Sequence, residues 1–187
     1  MRRVYKRYLS ALLALLLAMP MLSCGGGANE EAAHAARAPD GEARCPVCGM
    51  KVLGWPGPKG QLFMQGSDQP LFFDNTVDLM RYLLHPDHKS RARQAYVQDM
   101  SQADWDQPDV APWIDARKAW FVAGHSRMGS MGPTLASFAD RDAAEHFVAQ
   151  YQGELLGYAA IDTALLDALT GAESGDHDHS GHHGHAH

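Results

Sequence analysis

The alternation of apolar and polar residues predicts the same run of elements twice: strand, strand, helix, strand. In the first run, short apolar-aromatic segments at 61–65 and 70–73 flank a Gly-Ser-Asp turn, which is the usual pattern of a β-hairpin. Thr76 then fits the N-cap of a helix whose apolar residues recur at three- and four-residue spacing until Pro86 ends it. Residues 95–99 follow as a third strand.

The second run has strands predicted at 119–123, 134–138 and 155–161. Between the last two strands, Asp140 fits the N-cap of a helix that Gly153 closes. The face of that helix predicted to point inward carries Ala143, Ala144, Phe147, Val148 and Tyr151. Strands and helices in this order predict the α+β class.

The repeated order predicts two ββαβ-type modules fused in tandem, at 44–110 and 111–170. Three cysteines in 187 residues are too few for a small domain stapled by disulfides. The folded part must therefore be held together by a packed apolar core.

Residues 1–23 have the pattern of a lipoprotein signal peptide. A basic start precedes an uncharged apolar run at 9–17, and the segment ends in Leu-Ser before Cys24. A transmembrane anchor is the alternative, although this run is shorter than the roughly 20 apolar residues that a spanning helix needs. We expect lipid attachment at Cys24, a flexible tether over 24–43 and a periplasm-facing position. Gly25 after the lipidated cysteine favours the outer membrane over the inner one.

The charge of the chain narrows the classes of partner. The signal peptide holds four basic and no acidic residues, so without it the 16 Lys and Arg fall to 12 against 22 Asp and Glu, a formal net charge of −10. Such a chain is a poor fit for nucleic acid, which is bound by basic surfaces. Its negative net charge favours contact with cations.

The segment Cys45–Met50 (CPVCGM) carries the clearest chemistry. A Cys-x-x-Cys can be half of a zinc site, a redox dithiol or a structural disulfide. No second cysteine pair completes a zinc site, and Pro56 and Pro58 exclude the helix on which a thioredoxin-like dithiol would sit. A structural disulfide between the two cysteines remains a possible interpretation, because an exported protein folds in an oxidising compartment.

Met50 favours copper as the ion at this motif. In extended backbone, Cys48 and Met50 project to the same side, and a thiolate with a thioether selects Cu(I) over harder ions. The alternative is that the Met50 side chain is buried in the core. Cys45 is the third candidate ligand of this group.

A second candidate group lies in the glycine-rich segment 124–133, directly after a predicted strand. It consists of His125, Met128 and Met131, whose imidazole and thioethers could complete a soft metal site. A simple connecting loop is the alternative.

Taken together, these segments resemble the NosL family, the lipoprotein copper chaperones of nitrous oxide reductase assembly. The resemblance covers about 44–162 and lies in CPVCGM at 45–50, LFFDNTVDLMRYL at 71–83, WIDARKAWFVAG at 113–124 and FADRDAAEHFVAQYQGELLGYAAI at 138–161.

The resemblance implies two ββαβ-type modules and a Cu(I) site that uses Cys48 and Met50. It also implies delivery of copper to the periplasmic copper-cluster assembly machinery of nitrous oxide reductase, through an accessory protein linked to an ABC transporter. The family's loop commonly reads Gly-Pro-Met-Gly, whereas this chain has Gly-Ser-Met-Gly-Pro at 129–133, which makes Met131 the residue that resembles the family's methionine.

The C-terminal segment 171–187 is a low-complexity, histidine-rich tail. Its imidazoles could bind Cu(II), Zn(II) or Ni(II), and an expression tag is the alternative, although Asp, Gly and Ser interrupt the histidines. The candidate ligands are His177, His179, His182, His183, His185 and His187.

The sequence thus predicts a copper chaperone and not an enzyme, because no nucleophile–base set or closed catalytic zinc site stands out. Two other classes remain open. One is a thiol-disulfide oxidoreductase using Cys45 and Cys48, and the other is a zinc- or nickel-scavenging lipoprotein using the tail.

Overall fold

Strands and helices alternate along the chain in a computed structural model that describes residues 34–171. The order strand, strand, helix, strand occurs twice, as predicted, with a second short helix inside the first run and additional elements after each run. In chain order the elements are β1 (Gly60–Met64), β2 (Leu71–Phe73), α1 (Thr76–Leu84), α2 (Pro86–Lys89), β3 (Ala92–Gln98), β4 (Trp113–Asp115), β5 (Trp120–Ala123), β6 (Ala136–Phe138), α3 (Arg141–Tyr151), β7 (Glu154–Gly157) and α4 (Thr163–Thr170). Within residues 34–171, no helix is long and apolar enough to span a bilayer.

The first sheet is antiparallel and has the strand order β2-β1-β3-β4. The predicted hairpin is confirmed, with Leu62 of β1 paired to Leu71 of β2 and to Ala95 of β3. The strand β4 pairs with β3 through Gln98 and Trp113, although it follows residue 110, where the first module was predicted to end. The first sheet therefore extends beyond the predicted end of the first module.

The second sheet has the order β6-β5-β7 and carries α3 across it. Asp140 caps α3 as predicted, because its carboxylate accepts a hydrogen bond from the Asp142 amide. The last strand ends at Gly157, and the predicted extension to residue 161 is wrong. Residues 158–160 form one turn of 3-10 helix instead, and the helix α4 that follows, which was not predicted, buries Leu166 completely in the core.

The N-cap of α1 is Asn75 and not Thr76. The Asn75 side chain accepts from the Val77 amide at 2.8 Å, whereas Thr76 lies within the helix and its hydroxyl donates to the Leu135 carbonyl at 2.7 Å. The helix ends before Pro86 as predicted, and that proline also begins the short helix α2.

Both sheets contribute to one apolar core, so the tandem arrangement of two modules stays a prediction. Leu62 and Phe73 of the first sheet belong to the same buried cluster as Phe121 of the second. A buried polar link also joins the sheets, since the Ser137 hydroxyl donates to the Gln98 carbonyl at 2.6 Å. The mixed helix and sheet composition agrees with the predicted α+β class.

Candidate metal centre

The CPVCGM segment forms a closed loop. The Gly49 amide donates to the Cys45 carbonyl, and the Cys45 amide donates to the Met50 carbonyl, both at 2.9 Å. Gly49 has a φ of 75°, a value that glycine adopts without the Cβ penalty of other residues. The predicted extended backbone between Cys48 and Met50 is therefore wrong, because the chain turns between them.

The loop places both cysteines against two carboxylates. Candidate ligand atoms of Cys45, Cys48, Asp74 and Asp78 all lie within 4.8 Å of one another. The Cys48 thiol donates to Asp74 Oδ1 at 3.3 Å, and the Cys45 thiol donates to Asp78 Oδ2 at 3.8 Å. Asp74 directly follows β2 and Asp78 lies in the first turn of α1, so the strand-to-helix junction supplies both carboxylates.

Burial controls the protonation of the two thiols. It raises the pKa of Cys45 to about 12, an effect that the nearby amides of Cys48 and Val47 reduce in part. Burial also raises the pKa of the Cys48 thiol. The pKa of Asp78 is raised by burial first and by the charge of Asp74 second. Both thiols therefore carry protons at neutral pH in the metal-free centre, and a bound metal must displace them.

Asp74 is the most unusual member of the centre. Its side chain is fully buried, and Oδ2 has no hydrogen-bond partner within residues 34–171. A buried carboxylate oxygen without a partner is costly, and a cation in the centre would satisfy it. Asp74 and Asp78 were missed by the sequence reasoning, although an acidic pair in the Asp-Asn-Thr-Val-Asp junction between a strand and a helix is a signal that could have found them.

A buried lysine forms hydrogen bonds with the backbone of the segment that follows the CPVCGM loop. Lys59 is fully buried, and its ammonium donates to the carbonyls of Trp55 at 2.6 Å and Gly57 at 2.8 Å. Burial lowers the pKa of Lys59 to about 8, while the charges of Asp109 and Asp74 oppose that effect. Lys59 thus supplies positive charge close to the buried Asp74 carboxylate.

The second predicted group is divided between two environments. Met128 and Met131 are 56% and 57% exposed on the segment 128–133, hereafter the methionine loop. His125 is 8% exposed and is not part of the four-residue centre; its ring packs edge-to-face against Trp105 and Phe147. Burial lowers the pKa of His125 to about 4, so the ring is neutral at pH 7.

The methionine loop nevertheless lies against the centre. The Ser130 hydroxyl donates to the carbonyl of Asp74 at 3.2 Å, and the Asn75 amide nitrogen donates to the carbonyl of Pro133 at 3.3 Å. A bridge between Gly129 and Gly132 closes the loop on itself. Its backbone is therefore tied to the segment that carries one of the carboxylates.

The structure brings Cys45 and Cys48 together as predicted neighbours and adds Asp74 and Asp78. Met50 is half-buried in the same loop, and its role as a ligand stays a prediction, as do the roles of Met128, Met131 and His125. The predicted lipidation site Cys24 and the tail histidines His177, His179, His182, His183, His185 and His187 lie outside the described residues.

Known proteins are similar to this chain in sequence and in fold. The NosL family model matches residues 36–166. The copper-binding lipoprotein NosL of Stutzerimonas stutzeri is 35% identical over 179 residues, covering 94% of this chain and 93% of the relative. The copper-binding lipoprotein NosL of Achromobacter cycloclastes is 41% identical over 131 residues, covering 68% of this chain and 67% of the relative.

A solved structure agrees with these matches. The crystal structure of the copper chaperone NosL from Shewanella denitrificans superposes with a TM-score of 0.67 at 40% sequence identity, covering 70% of this chain and 98% of that chain. The chain therefore belongs to the NosL family.

Proposed function

We propose that this protein is a lipid-anchored, periplasm-facing copper chaperone that carries Cu(I) as cargo. The observation that carries the proposal is the centre itself, in which two thiols and two carboxylates lie within 4.8 Å of one another and Asp74 Oδ2 lacks a partner. The names of the relatives, copper-binding lipoprotein and copper chaperone, support copper as the ion.

The chemistry of the donors supports Cu(I). Thiolate and thioether sulfur are soft ligands that favour this ion over harder cations. Cys48 is half-exposed and offers the entry point, whereas Cys45 is buried beneath it. As Cu(I) binds Cys48 Sγ, the thiol proton passes to the Asp74 carboxylate oxygen 3.3 Å away.

Release is expected to proceed by ligand exchange. Met50, Met131 and Met128 are the candidate thioether ligands, and His125 is the candidate imidazole. The receiving partner is the periplasmic copper-cluster assembly machinery of nitrous oxide reductase, reached through an accessory protein linked to an ABC transporter. Ligands would be exchanged one at a time, so that the ion is never free in solution.

Anchoring at Cys24 holds the protein at the membrane, with the outer membrane favoured. The histidine tail binds Cu(II), Zn(II) or Ni(II) through imidazole nitrogen. This assignment makes the protein a carrier and not an enzyme.

Competition with a coloured Cu(I) chelator tests the centre. We expect Cys48→Ala, Cys45→Ala and Asp74→Asn each to weaken Cu(I) binding at least tenfold, because each removes a ligand or the acceptor of its proton. Asp87→Asn on α2 is the matched control, since the Asp87 side chain is exposed and is not one of the four residues of the centre. Affinity within about twofold of the wild type for Cys48→Ala would refute the assignment.

Deletion of residues 171–187 separates the two metal sites. The shortened chain should keep one tight Cu(I) equivalent and bind fewer equivalents of Zn(II). Loss of the tight Cu(I) equivalent would make the tail the principal site and would favour the scavenging lipoprotein instead.

A thiol-disulfide oxidoreductase fits the centre less well. Reactive dithiols depend on a lowered thiol pKa, whereas burial raises the pKa of both cysteines here. Turnover of disulfides in an insulin-reduction assay would reverse this preference.

A further inference from the structure

We propose that Asn75 is a positioning residue that holds the methionine loop at the metal centre, so that a thioether is in place when copper leaves Cys48. This inference rests on the proposed function and adds to it a residue that is not itself a metal ligand. Its basis is a set of hydrogen bonds between the Asp74–Thr76 segment and the methionine loop with its continuation into β6.

The Asn75 side chain makes two different hydrogen bonds. Its Oδ1 accepts from the Val77 amide at 2.8 Å and so caps α1, while its Nδ2 donates to the Pro133 carbonyl at 3.3 Å. The residue is only 2% exposed, so water does not readily replace either bond. Asp, Ser and Thr cap helices as well as Asn does, but none of them offers an amide donor. The capping role alone therefore does not account for asparagine at this position.

The residues on either side of Asn75 make parallel contacts. The Asp74 carbonyl accepts from the Ser130 hydroxyl at 3.2 Å, and the hydroxyls of Thr76 and Thr134 are 2.8 Å apart. Three consecutive residues at the strand-to-helix junction therefore hold the segment that runs from the loop into β6. Asp74 also accepts the Cys48 thiol at 3.3 Å, so the same residue contacts a cysteine through its side chain and the loop through its backbone.

A close approach at Gly129 makes this fit possible. A Cβ on that residue would lie 2.9 Å from Thr134 Cβ and 3.2 Å from Asn75 Nδ2. Next to Gly129, at the start of the loop, the buried Trp105 indole donates to the Met128 carbonyl at 2.9 Å, whereas Asn75 holds the Pro133 end. The backbone is thus held at both ends while the side chains of Met128 and Met131 remain largely exposed.

This combination is what ligand exchange requires. A thioether on a fixed backbone can bind copper without the conformational-entropy cost of ordering the loop. Ser130, which neighbours Met131, and Cys48 both contact Asp74, so Met131 is the thioether of the methionine loop that is best placed to take part. Loss of the Asn75 bond should leave the cysteines intact and make the thioether less available.

Two substitutions at Asn75 test this role. Asn75→Asp keeps the helix cap but faces the Pro133 carbonyl with an oxygen in place of the donor, and Asn75→Ser keeps a capping hydroxyl without adding charge. Both should slow the transfer of Cu(I) from the loaded protein to bicinchoninate about three- to tenfold, the effect of losing one hydrogen bond. Asp162→Asn is the matched control, because it exchanges the same two residue types at the N-cap of α4.

A double-mutant cycle with Met131→Leu distinguishes positioning from a general structural effect. If Asn75 acts through Met131, Asn75→Ser should slow transfer in the wild-type background and change it less than twofold in the Met131→Leu background. Gly129→Ala, which pushes the loop away from Asn75, should reproduce the slower transfer. Additive effects of the two substitutions, or an unchanged rate for both Asn75 variants, would overturn the inference.

The outcome is separable from that of the proposed function. If Cys48→Ala leaves Cu(I) affinity unchanged, the proposed function fails before the loop is considered. If Cys48→Ala abolishes tight binding and the Asn75–Met131 cycle is additive, the copper centre stands and only the positioning role is lost.

Discussion

Burial of His125 is predicted to make the folded protein sensitive to acid. The ring packs edge-to-face against Trp105 and Phe147, and burial lowers its pKa to about 4 from an ordinary value of 6.5. Below pH 6.5 the unfolded chain therefore binds a proton that the folded chain does not bind. The stability that this histidine contributes is complete above pH 6.5 and is lost as the pH falls from 6.5 towards 4.

The size of the effect follows from the pKa difference. At about 1.4 kcal/mol per unit of pKa, a fall from pH 7 to pH 5 should remove roughly 2 kcal/mol of unfolding free energy, and about 3 kcal/mol is lost by pH 4. His125→Leu removes the titrating ring and keeps an apolar side chain in the same pocket. The variant should lose about 2 kcal/mol less than the wild type between pH 7 and pH 5.

Urea unfolding at pH 7, 6 and 5 measures this difference directly. Acidic groups such as Asp78 titrate in both proteins, so comparing the two pH dependences removes their contribution. His146→Gln is the control for replacing a histidine outside the core, because His146 is exposed on α3. Equal losses of stability in the wild type and His125→Leu would refute the reasoning.

Three further predictions concern packing, the C-terminal helix and proton release. Gly60→Ala would place a Cβ 2.6 Å from Leu79 Cδ2 and should cost about 1–3 kcal/mol in urea unfolding, whereas Gly157→Ala, with open space around it, should be close to neutral. Arg81→Met removes an ion pair and two further hydrogen bonds to α4, so hydrogen exchange should accelerate in α4 alone; unchanged exchange would contradict this. Cu(I) affinity should rise about tenfold per pH unit for each thiolate formed, and Cys45→Ser should lower that slope; a flat dependence would exclude thiolate ligands.

Local patterns account for most of the elements that the sequence predicted correctly. The hairpin between β1 and β2, the apolar face of α1 and the Asp140 cap of α3 each depend on residues a few positions apart. The local sequence does not distinguish Asn75 from Thr76 as the helix cap, since both residue types cap helices. The bond from Thr76 to the Leu135 carbonyl, 59 residues away in sequence, decides it.

The helix α4 shows the same limit. Its eight residues are too few to be stable alone, and it forms where Leu166 is buried and Arg81 binds Asp167 at 2.8 Å. Those contacts join residues more than 80 positions apart. A short apolar segment after a strand does not predict these long-range contacts.

The sequence by itself determined the family resemblance and the α+β class, and it predicted a copper site in the CPVCGM segment at Met50 and the cysteines Cys48 and Cys45, because motif and periodicity are properties of neighbouring residues. Only the tertiary structure placed Asp74 and Asp78 beside them, 26 and 33 positions along the chain. It also turned the chain at Gly49 and separated buried His125 from the exposed methionines. Asp74 and Asp78 reach the cysteines only through long-range packing of the strand-to-helix junction against the cysteine loop. Local sequence patterns therefore do not predict these two carboxylates as members of the candidate metal centre.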